Sequence, residues 1–91
     1  MTKNKILKEV SKHGDAIVSY MDNSGRILSG LMTVDFSTKY IKKKKKYFFK
    51  LITEATNTNK LLMFNWTRNN FIMLDPEKVS TITPLAQVLK N

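Results

Sequence analysis

From Asp15 onward the side chains alternate with a period of two. Ala16, Val18 and Tyr20 are interleaved with Ile17, Ser19 and Met21, the pattern of a strand with two unlike faces. The same reading covers the later apolar runs, each short and each stopped by a polar turn. Asp22-Asn23-Ser24-Gly25 is a turn cluster, with Gly25 tolerant of positive φ. Residues 26–36 read as a second strand, in which Leu28, Met32, Val34 and Phe36 share one parity. Gly30 between them predicts a bulge or a sharp bend. Residues 47–53, rich in aromatic and β-branched side chains, read as a third strand; 61–66, 71–74 and 79–83 read as a fourth, fifth and sixth. Polar turns at 56–59 and 67–70 separate them. Asp75-Pro76-Glu77-Lys78 reads as one 3₁₀ turn, and Pro84 stops the last strand.

Ahead of the strands, Ile6, Leu7 and Val10 fall at helical spacing and predict a helix over 3–13, capped by Thr2 and ended by Gly14. With 91 residues there is room for one core and not for two. The expected organisation is a single domain over 1–91: a helix at 3–13, a β barrel at 15–83 and a C-terminal tail at 84–91. The expected class is mainly β with one N-terminal helix, either an SH3-like small barrel or a strongly bent antiparallel sheet of 5–6 strands. Leu85, Val88 and Leu89 in the tail form a last helical turn or an apolar segment that meets a partner, and a homodimer is one expected outcome.

The strand order resembles that of SH3-like and Sm-like small barrels, and within them the WYL domain of bacterial regulators. Val18-Ser19-Tyr20, Asn23-Ser24-Gly25 and Val34 stand where that domain has its first hairpin. Lys46-Tyr47-Phe48-Phe49 stands at its Trp-Tyr-Leu strand, and Phe71-Ile72-Met73-Leu74-Asp75 with Val79 and Ile82 at its closing stretch. The resemblance implies a small barrel over about 16–83. The Trp-Tyr-Leu signature itself and the arginines of the family's ligand surface are missing, so no ligand surface follows from it.

The chain has no cysteine and one histidine, His13, which rules out disulfides and cysteine-type zinc sites. The acids are scattered as Glu9, Asp15, Asp22, Asp35, Glu54, Asp75 and Glu77, and the three glycines are isolated at 14, 25 and 30. Neither a catalytic pair nor a phosphate-binding glycine loop is visible. His13 reads as a helix-end histidine favoured by the macrodipole. The expectation is a chain that is not an enzyme and needs no cofactor. No apolar run approaches the ~20 residues that span a bilayer, so a cytoplasmic location and no membrane partner are expected.

Charge gives the sharpest signal. Sixteen Lys plus Arg stand against seven acids, a formal charge of +9. Lys39, Lys42, Lys43, Lys44, Lys45, Lys46 and Lys50 fall within twelve residues that hold no acid. Lysine is a hydrated point charge suited to phosphate contacts. Five consecutive like charges favour an exposed loop or edge strand, and a hairpin tip bearing them can follow a phosphate backbone. A solvated loop, an acidic protein surface and an AT-rich coding bias account for the same run. Tyr40, Tyr47, Phe48 and Phe49 flank it. Strand parity sends Phe48 to one face and Tyr47 with Phe49 to the other, so that one set can be a base-stacking surface and the other core. Trp66 with Arg68, Asn69 and Asn70 is a second candidate, since amides and a guanidinium suit base edges.

The expected function is that of a small, basic nucleic-acid-binding protein, for RNA or DNA, with RNA or single strands favoured. The expected contact residues are Lys39, Tyr40, lysines 42–46, Tyr47, Phe49, Lys50, Trp66, Arg68 and Asn69. In composition the chain resembles the small accessory proteins of large lytic phages. That likeness implies the alternative: an inhibitor of a host protein, such as a toxin–antitoxin or restriction enzyme.

Overall fold

The computed structural model describes residues 2–44 and 48–89, and the side chains of Val88 and Leu89 stand outside that description. Helix α1 spans Lys3–His13. Thr2 caps it, its hydroxyl accepting from the Lys5 amide at 3.3 Å, and Gly14 ends it at φ 77°. Both ends follow from local chemistry: a short hydroxyl satisfies an orphan N–H, and a residue without a Cβ turns the chain out.

Strands β1 (Asp15–Met21) and β2 (Ile27–Thr33) form a hairpin paired from Asp15↔Thr33 to Met21↔Ile27. Its turn is organised by Asp22. The carboxylate accepts from the amides of Ser24 and Arg26, both at 2.9 Å, and from the Ser24 hydroxyl at 2.7 Å. The Ser24 hydroxyl bond, then the Arg26 amide bond, hold its pKa down at about 2. Strands β3 (Leu61–Asn65) and β4 (Asn70–Leu74) form a second hairpin. A 3₁₀ turn at Pro76–Lys78 leads to β5 (Val79–Pro84), which returns to pair with β1, and α4 spans Leu85–Leu89. The sheet is antiparallel, in the order β4-β3-β2-β1-β5.

Alternate residues of β1, Ala16, Val18 and Tyr20, are buried as the period of two requires. The sheet bends far enough to share one core. Leu74 of β4 and Val79 of β5, at opposite edges, join Val18, Tyr20, Met32, Leu61 and Met63 under Ile6 and Val10 of α1. A register shift at Ser19/Tyr20 on the β5 side supplies part of the bend. The mainly β class, with one N-terminal helix on a bent five-stranded antiparallel sheet, therefore holds, although helix and strand take near-equal shares of about 37% and 36%.

Three expectations are corrected. The third strand, expected over 47–53, is instead helix α3 (Phe48–Asn57), so the sheet has five strands. Phe48, Leu51, Ile52 and Ala55 fall at i, i+3, i+4 and i+7, a helical spacing that outweighs the β preference of the same side chains. The reason is tertiary. All five residues of β3 are buried, so its second face, with Leu62 and Phe64, needs a cover, and α3 packs against it. The lysine run is likewise not an edge strand or hairpin tip in its described part. Lys39–Lys42 form a short helix, α2, whose cap is Thr38, and Lys43 and Lys44 continue into a turn. Lys45, Lys46 and Tyr47 lie outside the described residues. Finally, Gly30 sits in regular ladder opposite Val18; the irregularity lies in the β1–β5 pairing, where Ser80 of β5 is the extra residue. Among the described residues no helix is long and apolar enough to cross a membrane.

Candidate nucleic-acid interface

The site grows out of the connection between β2 and β3. Ile41 of α2 is fully buried and fixes the short helix to the body. Its neighbour Tyr40 therefore lies along the surface, with 46% of its area exposed. The Tyr40 ring stacks on Trp66, with centroids 5.9 Å apart and planes 25° from parallel. Trp66 in turn meets the buried Phe64 edge-on at 4.9 Å. A column of three rings thus runs from the interior of β3 to the surface.

The two outer rings, Tyr40 and Trp66, are each held by a polar contact at the rim. The Tyr40 hydroxyl donates to Asn69 Oδ1. Trp66 Nε1 donates to the Asp15 carboxylate at 3.0 Å. The Trp66 amide bonds Leu31 O at 2.7 Å, and the Leu31 amide bonds the Thr67 hydroxyl at 3.0 Å, which pins the start of the β3–β4 turn to β2. Asn65, almost fully buried, accepts from the Arg68 amide at 3.2 Å and shapes the turn from beneath. Asn69 adopts φ 59°, a left-handed conformation that asparagine tolerates.

Charge sits at the outer end of the column. The Lys44 ammonium lies over the Tyr40 ring, 5.5 Å from its centroid. Lys39, Lys42 and Lys43 are exposed on α2 and the turn after it, and Arg68 is exposed on the β3–β4 turn. An open cleft of about 440 Å³ beside Arg68 is lined by Asn65, Asn70, Phe71 and Ile72. An exposed cation–π contact is worth about 0.5–1 kcal/mol, whereas a base stacked on an aromatic ring is worth about 1–3 kcal/mol. The column therefore ends in a ring face on which a planar group can stack more strongly than the ammonium over it holds.

The structure joins two candidates that stand apart in the sequence. Tyr40 and Lys44 come together with Trp66 and Asn69, and Arg68 shares their turn. Phe49 and Lys50 lie instead on α3. Phe49 is 83% exposed, and its ring contact runs to Phe48 at 6.1 Å. Phe48 packs inward against Phe36 and Phe71. The opposite facing of Phe48 and Phe49 is as expected, although a helix and not a strand produces it. Asp15 and Asn65 belong to the site as positioning residues and were not among the expected ones. Among the described residues no group of three His, Cys, Asp or Glu side chains could hold a metal ion. No family model matches the chain, and no curated protein or solved structure matches it either.

Proposed function

We propose that the chain is a small basic nucleic-acid-binding protein that acts by binding and not by catalysis. One observation carries the reading: the lysine-bearing 39–44 segment is stacked, through Tyr40 and Trp66, onto the turn that holds Arg68 and Asn69. Phosphate-seeking cations and ring faces are thus offered side by side, the two needs of a strand whose bases are accessible.

The experiment is a salt series of binding to oligonucleotides by fluorescence anisotropy, comparing the parent with a variant whose lysines 42–46 are alanine. The variant should bind any sequence more weakly, and each lost phosphate contact should flatten the log–log salt slope by roughly 0.7–0.9. Equal affinity and equal slope for the two proteins would refute the reading.

A further inference from the structure

We propose that the exposed surface of the Tyr40 ring is a subsite for one unpaired nucleobase, which Lys44 covers in the free protein. The inference rests on the nucleic-acid reading and adds to it where a base sits and which kind of strand is selected.

Tyr40 is not an ordinary surface tyrosine. Its hydroxyl is tied to Asn69, its ring is backed by Trp66, and the indole is fixed through Asp15 at 3.0 Å. An exposed ring tied at its hydroxyl and backed by a fixed indole has little freedom left to lose, so a planar ligand meets a surface already in its bound form. Lys44 has the opposite character. Among the described residues no carboxylate lies within ion-pair distance of it, and its one described side-chain partner is the Tyr40 ring. That contact is weaker than stacking of a base on the same ring.

Exchange follows from that difference. A base takes the ring, and the displaced ammonium is left within one nucleotide of the phosphate attached to that base. The cation changes partner without leaving the site. Paired bases hide their faces within the duplex stack, so the ring can be used only by a single strand or an unpaired loop. The lysines contact duplex and single strand alike. Strand selectivity therefore resides in Tyr40, and general affinity in the cations.

The test compares a short labelled oligo(dT), a duplex of equal length and heparin, a polyanion without bases, on the parent and on Tyr40→Leu. Tyr40→Leu should weaken oligo(dT) binding about 10-fold while duplex and heparin affinities stay within about twofold, and Tyr40→Phe should keep most of the oligo(dT) affinity. Thermal melting by circular dichroism shows whether Tyr40→Leu remains folded. Should it not, the parent alone decides: nuclear Overhauser contacts between thymine methyl protons and the Tyr40 ring are expected in the oligo(dT) complex, and their absence from a saturated complex overturns the subsite. Equal losses for all three ligands, or none for any, also overturn it and leave the nucleic-acid reading standing. A parent chain that binds neither oligo(dT) nor duplex ends both.

Discussion

The side chain of Asn65 occupies the space that any side chain at Gly30 would need. A Cβ at Gly30 would stand 2.8 Å from Asn65 Nδ2 and 2.9 Å from Oδ1. Glycine is required here by close approach and not by backbone conformation, and the group approaching is the buried amide beneath the Arg68 turn. Gly30→Ala should destabilise the fold by about 1–3 kcal/mol, the usual cost of overpacking. Adding Asn65→Ala should recover part of that loss, because the two substitutions share one volume. Urea denaturation of both single variants and the double variant measures the coupling; additive losses would refute the contact.

Asp15 should matter more through its hydrogen bond than through its charge. The Trp66 indole bond to its carboxylate is 3.0 Å long, and hydrogen bonds to charged groups contribute about 1.5–3 kcal/mol. Asp15→Ala should lose stability in that range, whereas Asp15→Asn, which keeps an acceptor oxygen, should lose less. Trp66 is the only tryptophan, so its fluorescence anisotropy reports freed indole motion directly.

Asp22 makes acid sensitivity local. Its folded pKa of about 2 lies below the ordinary 3.8. A depressed carboxylate stabilises the folded state fully above its unfolded pKa, and that contribution is lost as pH falls through the folded pKa. The parent should therefore be more stable than Asp22→Ala at neutral pH, with the gap closing between about pH 4 and about pH 2. Carboxyl-carbon NMR titration of Asp22 should give a midpoint near the lower value, and a midpoint near 3.8 would exclude the hydrogen-bonded turn.

Phe48 and Phe49 should respond oppositely to truncation. Phe49→Ser removes a ring that is 83% exposed and should change stability by no more than about 0.5 kcal/mol. Phe48→Ala removes contacts with Phe36 and Phe71 and should cost about 2–4 kcal/mol. Thermal denaturation separates the two, and equal losses would contradict the orientation of α3.

What could be read from the sequence follows the range of the interactions involved. Helix α1 was legible to the residue because Thr2 and Gly14 are local signals. The first hairpin was legible because alternation and a turn cluster agree. Helix α3 was not, since its aromatic start favours a strand locally, and only the need to cover Leu62 and Phe64 decides the matter. The site was half legible. The lysines and the 66–69 turn stood out by composition, but Tyr40 and Asn69 lie 29 positions apart. Asp15 and Trp66 lie 51 positions apart. A single carboxylate at a strand start carries no pattern that spacing could reveal.

β2 and β3 share only two paired positions, Met32↔Asn65 and Thr33↔Phe64, reinforced by the Leu31 bonds to Trp66 and Thr67. Each hairpin closes through a short turn, whereas this seam closes a loop more than five times as long as either, at a greater entropic cost. The two hairpins are therefore the units expected to form early in folding, and their joining is the slow step, since long-range strand pairing is rewarded only after that cost has been met. The ring column stands across the same seam, so the candidate surface comes into existence only when the two hairpins join, and hydrogen exchange at Leu31 and Trp66 would time its appearance.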